Sequence, residues 1–420
     1  MSSTDQMTAP DPVATAPAGP SKRIVFSFQL LTNIGCEIII RGSIAFLKRA
    51  YPDHDLTFVV SSYHPERDRA LLADVSGVRV VPMLERKRYV RGVLRKTGLF
   101  ISHWTPRFAS SEFKSADLFC SVGGDIYTMF GDALPEDWLG YESYATRHGI
   151  PAIMFGANME RFEVLSEAHR AQLLDHLKRF RLLVARDKGT ADYLAGHGIA
   201  DNVAIFPDPI FSLRPKTVFE RRKVHRIGIN FTPFLLEKFG DGIVERYARI
   251  TEGLVRQGYE VSLVPHVSSP DGRGTQHDPR TLDQLHAALA PDIAAKVQVW
   301  RGEMSFASIS QMLSELDMFV GARMHGCLSS LTLGKPVFFV GYSRKAKTMV
   351  DWLKSASPFA DMAQSFCVKD GDKVELSDIE ALIADHDAWA AAGDTPVTVD
   401  TRGWLDGLPL WQKMPDLNKA

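Results

Sequence analysis

The feature that most limits the fold of this 420-residue chain is an alternation of short apolar runs with longer stretches of helical periodicity. Runs at residues 24–28, 56–60, 78–81, 117–121, 152–155, 182–185 and 203–206 are mostly apolar at consecutive positions, not at every second one. A strand of that kind is covered on both faces of its sheet. Helical stretches, such as 37–49 and 167–180, lie between several of them, which is the pattern of a parallel sheet built from strand–helix–strand units. Residues 212–226, SLRPKTVFERRKVHR, are polar and basic and interrupt the rhythm, so 213–225 reads as a linker. The alternation restarts with strands expected at 226–230, 261–264, 297–300, 318–320 and 337–340, and helices at 242–256, 281–289, 306–316 and 345–354. The expected class is α/β, with two Rossmann-like doubly wound domains (22–212 and 226–356) facing each other across a cleft, the default binding site. A helix at 376–389 and an apolar end with Trp404 and Trp411 predict a C-terminal segment, 357–420, that packs back on the domains.

Composition removes other classes. With 45% hydrophobic and 24% charged residues the chain is globular, and 49 Lys and Arg against 50 Asp and Glu give no overall basic field for nucleic acid. No apolar run approaches the length of a membrane span. Cys36, Cys120, Cys327 and Cys367 are far apart in sequence, which argues against a disulfide framework or structural zinc and fits a reducing, cytoplasmic setting. Residues 1–21 begin with an Ala/Pro/Thr-rich stretch lacking the basic and apolar parts of a secretory signal, and read as a disordered tail. The segment from Arg86 to Lys96, RKRYVRGVLRK, holds six basic residues and no acidic one. With Phe100, Ile101 and Trp104 following, it suits peripheral contact with the anionic inner face of a plasma membrane; the alternative is a solvated basic face.

Two common nucleotide signatures are missing: no GxGxxG opens the first helix, and no GxxxxGK[ST] occurs. The acidic DGD at 370–372 sits in a polar turn, and no spacing suggests a metal site. The most informative stretch is 317–350, DMFVGARMHGCLSSLTLGKPVFFVGYSRKAKTMV. A strand ends before Gly321 and a helix starts near Met324, so Arg323 and His325 stand where unpaired N–H groups favour an anion. Arg323 adds a planar set of donors for carboxylate or phosphate, and His325 can exchange a proton near neutral pH. Lys345 opens a second helix on the same sheet edge. The alternatives are that Arg323 pairs with a structural carboxylate and that His325 caps a helix.

RMHGCLSSLTLGKPVFFVGYSRK resembles the signature of the polysaccharide pyruvyl transferase family: Arg-x-His, a short helix, Gly-x-Pro, a strand, then Tyr-x-x-Lys. Other landmarks follow in that family's order. Asn33-Ile34-Gly35-Cys36-Glu37 resembles its turn into the first helix, with Cys36 in place of the usual Asp. Ser121-Val122-Gly123-Gly124-Asp125 resembles its glycine turn, Val184-Ala185-Arg186-Asp187 its Val-Arg-Asp element, and Pro207-Asp208-Pro209-Ile210-Phe211 its Pro-Asp-Pro-x-Phe. The resemblance spans residues 22–353 and implies a glycosyltransferase-B-like pair of domains. It also implies transfer of the enolpyruvyl carbons of phosphoenolpyruvate (PEP) to a sugar of a cell-surface polysaccharide or its lipid-linked precursor.

PEP carries a phosphate and a carboxylate, so its site needs several fixed cations. Arg186, Arg323, Met324, His325 and Lys345 are the expected PEP-binding residues, with His325 and Asp125 as acid/base candidates. Arg186 has an ion pair with Asp187 or another neighbour as its alternative, and Asp125 a turn or cap role. Asn33, Gly35, Gly123, Gly124, Asn230 and His266 are expected to line the acceptor side or the cleft, although a surface position is the commoner fate of a histidine such as His266. The loop 268–279, with His277 and Asp278, reads as a lid or a solvated connection. No cofactor is expected besides PEP as substrate. Two competing readings stand: a glycosyltransferase with a nucleotide-sugar donor, and a non-catalytic glycan-binding protein on the same fold.

Overall fold

In a computed structural model, which describes residues 19–27, 31–82, 93, 111–268 and 277–418, the apolar runs of the first half pair into one sheet. Its strands are β1 (Ser21–Phe26), β2 (Asp55–Ser62), β3 (Val78–Pro82), β4 (Leu118–Val122), β5 (Ala152–Phe155), β6 (Leu182–Ala185) and β7 (Val203–Ile205). They lie in the order β3-β2-β1-β4-β5-β6-β7, every neighbouring pair parallel. The second sheet holds β8 (Arg226–Asn230), β9 (Glu260–Leu263), β10 (Gln298–Val299), β11 (Met318–Gly321), β12 (Val337–Gly341) and β13 (Phe366–Asp370), in the order β10-β9-β8-β11-β12-β13, again all parallel. Each order reverses beside its first strand, between β1 and β4 and between β8 and β11. The loops leaving those strands diverge and open a crevice at the carboxyl edge.

The helix Ile34–Ala50 joins the two halves. Asn33 starts it by accepting a hydrogen bond from Gly35 N–H at 2.8 Å. Ile34 and Ile38 on this helix share one apolar cluster with Phe319, Leu328 and Leu331 of the second domain. Glu37 on the same helix is fully buried, accepts from Arg41 Nε at 2.8 Å, and accepts from the Phe306 N–H of the second domain at 2.9 Å. Gly42 is required for the packing, because a Cβ there would stand 2.2 Å from the Pro209 carbonyl oxygen. An apolar seam and a buried charge thus hold the domains together on one side of the crevice.

Three features differ from the sequence expectation. The stretch 213–225 is not a plain linker, since Lys216–Phe219 forms a strand antiparallel to Val397–Asp400. Its Thr217 and Phe219 are buried and the alternate residues are exposed, a period-two pattern too short to stand out among basic neighbours. The segment 357–420 is not only helical, because it supplies β13, which completes the second sheet beyond residue 356. Strand β1 already includes Ser21, one residue inside the expected tail.

The C-terminal segment touches both domains. Its helix Leu376–Ala391 buries Ile379, Leu382 and Ile383 in the core of the second domain. Further on, Leu405, Leu410 and Leu417 enter the core of the first, and Trp411 stacks on Phe46 with ring centroids 5.1 Å apart. Tyr51 Oη donates to the Pro415 carbonyl at 2.9 Å. The tail residues 1–18, the basic segment 86–92 and 94–96 with Phe100, Ile101 and Trp104, and loop residues 269–276 lie outside the described residues. Among the described residues no helix is long and apolar enough to cross a membrane.

Candidate active site

Every candidate side chain follows a strand at a carboxyl edge or opens a helix there. In the first domain, β4 leads to Gly123, Gly124 and Asp125, β6 to Arg186, and β7 to Asp208. In the second, β8 ends at Asn230, β9 leads to His266, β11 to Arg323, Met324 and His325, and β12 to Tyr342 and Lys345. The two edges face each other across a cavity of about 560 Å³. Asn33, Gly35, Gly124 and Asp125 line it from the first domain, together with Arg186. His266, Arg323, Met324, His325 and Lys345 line it from the second.

Two expected lining residues stand elsewhere. Asn230 is fully buried and does not line the cavity; its Oδ1 accepts from Arg323 N–H at 3.1 Å and its Nδ2 donates to the Val264 carbonyl at 2.9 Å. It holds the backbone that carries Arg323. Gly123 is also absent from the lining and serves the turn, with φ at 151°, a value that favours glycine. His266, for which a surface position was the common case, is 2% exposed.

The cations are held in different ways. Arg323 is 6% exposed and donates from Nε and Nη2 to Asp278 Oδ1 at 3.1 and 2.7 Å. The other Asp278 oxygen accepts from the N–H groups of His266 and Val267 at 2.9 and 3.0 Å. The structural-carboxylate alternative therefore describes Arg323 in part, while its side chain still reaches the cavity wall and lies 4.9 Å over the Phe234 ring. Tyr342 stacks on the same ring at 5.3 Å, and burial pushes its hydroxyl to about 12. Asp187 is not the partner of Arg186, because its carboxylate caps the helix Lys188–Gly196 through Thr190 N–H at 2.7 Å. Arg186 instead donates to Asn158 Oδ1 at 3.3 Å and lies 3.7 Å from Asp208 Oδ2. His325 is not a cap: Arg323 holds that position, and the His325 Nε2 stands 3.3 Å from Asp208 Oδ2.

Lys345 forms an ion pair with Asp125 of the opposite domain and lies 3.6 Å from Glu160. Burial acts to raise the Asp125 carboxyl, but Lys345, Arg186 and His325 outweigh it and hold the group below the ordinary carboxylate value. Burial and the positive fields of His325 and Arg323 push His266 well below the usual histidine value, so its imidazole is neutral at pH 7. Burial, assisted by Asp125, pushes the Cys36 thiol up to about 12, so the residue in place of the family's Asp supplies no charge here.

Five buried atoms around this space have no aligned hydrogen-bond partner: Trp138 Nε1, Arg186 Nε, Asp208 Oδ2, His266 Nε2 and His325 Nε2. Each such atom costs about 1–3 kcal/mol when left unpaired, and a polar ligand relieves that cost. The remaining wall is apolar and aromatic, formed by Ile39, Ile126, Phe130 and Trp138. One half of the cavity suits a small polyanion and a proton transfer; the other suits a less charged group beside it. Sequence reasoning missed Phe234, Phe130 and Trp138, and it read Asp278 as part of a lid or solvated loop, whereas it is fully buried at the start of the helix Asp278–Ala287. It placed Asp208 in a motif without giving it a role.

Comparison with solved structures agrees with the two-domain α/β fold. The chain is similar to a putative UDP-N-acetylglucosamine 2-epimerase from Listeria monocytogenes, with TM-score 0.52 and 10% identity over 90% of this chain and 92% of that one. It is similar to the UDP-GlcNAc 2-epimerase from Neisseria meningitidis, with TM-score 0.51 and 11% identity over 89% and 95% of the two chains. At such identities the likeness shows the fold, a glycosyltransferase-B-like pair of α/β domains. No curated protein matches the sequence. A profile described as polysaccharide pyruvyl transferase matches residues 33–344, a span that includes Arg186, Arg323 and His325 and ends one residue before Lys345. The chain belongs to the polysaccharide pyruvyl transferase family.

Proposed function

We propose that this protein transfers the enolpyruvyl carbons of PEP to a sugar of a cell-surface polysaccharide or its lipid-linked precursor, releasing inorganic phosphate and leaving a pyruvate ketal. The observation that carries this reading is the convergence of Arg186, Arg323, His325 and Lys345 on one cavity, from both domains, beside an aromatic wall. Fixed cations of that density suit a donor bearing both phosphate and carboxylate.

In this scheme Arg186, Lys345 and Arg323 hold the donor, with Met324 at the opening of the helix that carries His325. His325 delivers a proton to the methylene carbon of PEP, which leaves the adjacent carbon electron-poor. A sugar hydroxyl adds to that carbon and gives its proton to a base, for which Asp125 is the candidate at the boundary of the charged and aromatic walls. A second hydroxyl then displaces phosphate, and its proton leaves with the phosphate. The scheme requires no metal or other cofactor. A cytoplasmic protein at the inner membrane face would meet a lipid-linked acceptor, and the basic segment 86–96 suits that contact.

The test is incubation with PEP and a panel of lipid-linked and soluble oligosaccharides, reading phosphate release and the mass of the product. The expected result is stoichiometric phosphate and a product heavier by a three-carbon carboxylate. Turnover of UDP-sugars with no response to PEP would replace this reading with the glycosyltransferase one.

A further inference from the structure

Asp208 belongs to a motif with a fixed shape. Pro207 and Pro209 flank it just after β7, and Pro209 opens the short helix Ile210–Leu213 with φ at −50°. The two rings restrict the backbone, so the carboxylate is aimed by the main chain. It is fully buried. Oδ1 accepts from Ile210 N–H at 3.2 Å. Oδ2 faces two nitrogen-bearing side chains at once, His325 Nε2 at 3.3 Å and Arg186 Nη1 at 3.7 Å.

Burial acts to raise the Asp208 carboxyl, but His325 and Arg186 hold it below its ordinary value, so a carboxylate faces the imidazole at neutral pH. On the other side of the ring lies Gly35, where an added Cβ would stand 2.7 Å from His325 Nδ1. Gly35 and Asp208 belong to the first domain and His325 to the second. The ring is therefore gripped by the domain opposite its own. The other charged or titratable groups whose fields reach this network are Asp125, His266, Arg186 and Arg323.

We infer that Asp208 is the positioning carboxylate of His325: its Oδ2, 3.3 Å from Nε2 but not aligned as a hydrogen bond in this structure, takes the Nε2 hydrogen when the ring turns toward it, which fixes the tautomer and leaves Nδ1, beside the cavity-lining Gly35, as the nitrogen that exchanges a proton with substrate. This rests on the transfer reading above. A buried carboxylate bonded to one imidazole nitrogen sets which nitrogen carries hydrogen and how the ring is turned. Asp208 touches no reacting atom; it acts through His325. Because it also faces Arg186, it ties the proton carrier to a donor-binding cation.

Two measurements decide it. The first is the ¹⁵N spectrum of histidine-labelled protein at pH 7 without ligand, with His325 assigned by H325Q. The wild type is expected to show His325 with hydrogen on Nε2, and Asp208→Asn to move that resonance. Identical His325 resonances in the two proteins overturn the inference, whether or not the protein turns over PEP. The second is kinetic. D208N is expected to lower kcat by roughly 100-fold, the low end of what acid–base catalysis contributes. In an H325A background the same change is expected to cost less than about threefold, since residues acting as one unit are not additive. Equal losses in both backgrounds overturn the inference. If D208N does not fold, D208E keeps the charge on a longer arm and is read by the same spectrum. A wild type inactive with PEP refutes the transfer reading, and the spectrum still judges Asp208.

Discussion

Lys345 of the second domain and Asp125 of the first form an ion pair across the mouth of the cavity, the lysine 14% exposed and the carboxylate 55%. The pair puts a negative group next to a cation that the proposed donor needs. Coulomb repulsion between Asp125 and an arriving phosphate or carboxylate opposes donor binding, though solvent screens it at that exposure. Asp125→Asn is therefore expected to tighten PEP about threefold to tenfold, on the order of 1 kcal/mol, while lowering turnover with acceptor. Lys345→Ala is expected to weaken PEP at least tenfold. Calorimetric titration with PEP checks both; a D125N variant that binds PEP more weakly than wild type contradicts the placement of the donor beside Lys345.

Gly35 bears on the same imidazole from the other side. A methyl group at this position meets His325 Nδ1 at 2.7 Å and Asn33 Oδ1 at 3.1 Å. The ring has to turn away or the helix has to shift. Gly35→Ala is expected to lower kcat more than tenfold, because a displacement near 1 Å is enough to lose a positioned proton transfer. The thermal midpoint is expected to fall by only a few degrees. Steady-state kinetics beside a melting curve separate the two, and unchanged kcat rejects the close approach of Gly35 to a working His325.

Arg323 and Asp278 act as a unit. Removing the guanidinium strands a fully buried carboxylate, and breaking a buried pair costs about 3–5 kcal/mol. Arg323→Ala is thus expected to lower stability as well as PEP affinity. Asp278→Asn is expected to loosen the backbone of His266 and Val267, whose N–H groups its carboxylate accepts, and to weaken PEP through a misplaced Arg323. Chemical denaturation is the check. An R323A protein as stable as wild type shows that the pair carries no structural load.

The doubly wound architecture was legible because its central strands are buried on both faces. Leu182–Ala185 and Ala152–Phe155 are apolar at every position, and the observed bounds coincide with the expected ones. The site was legible as a set of strand ends, since parallel sheets gather the residues after their strands along one edge. The missing parts depend on distance along the chain. Lys216–Phe219 becomes a strand only by meeting Val397–Asp400, and Phe366–Asp370 is an edge strand with partly exposed side chains and an apolar run of only three residues. Asp278 sits beside a histidine in a polar stretch, and nothing local marks it as the partner of Arg323. His266 reads as a surface residue because its local neighbours, Pro265 and the serines that follow, are those of a loop. Its burial comes with the fold of its own domain, where Asp278 accepts its N–H and Arg323 and His325 stand near its ring.

Phe130 is 74% exposed and lines the cavity. The Arg161 guanidinium lies 5.7 Å from its ring, and Arg161 is the one described non-glycine residue with positive φ, at 64°. A large apolar ring held open to solvent beside a polar site marks a place for an occupant. Phe130→Ala is expected to raise KM for the acceptor about tenfold, the cost of roughly 1.4 kcal/mol of lost contact, and to leave KM for PEP within twofold. An equal rise in both constants would place Phe130 with the donor.

Beneath the Asp125 loop lies a buried polar cluster that predicts how the fold responds to acid. Tyr127 Oη and His176 Nε2 are 2.8 Å apart, His176 Nδ1 is 2.9 Å from Glu142 Oε2, and Arg179 Nη2 donates to the same oxygen at 2.9 Å. Burial acts to raise the Glu142 carboxyl, but its bonds to His176 and Arg179 pull it down to about 2 from an ordinary 4.5. His176 itself is pushed below its usual value by burial, which leaves it neutral at pH 7 and makes Arg179 the lasting positive partner. A carboxyl lowered in the folded state gives up protons more readily there than in the unfolded chain. Its stabilisation is complete above pH 4.5 and is lost as pH falls toward 2. Glu142→Gln is expected to cost about 3 kcal/mol at pH 7, the scale of a broken buried pair, and the gap from wild type should close between pH 4.5 and 2. Denaturant melts across that window measure it. Parallel wild-type and E142Q curves down to pH 2 would mean that Glu142 is not held as a carboxylate in the folded protein.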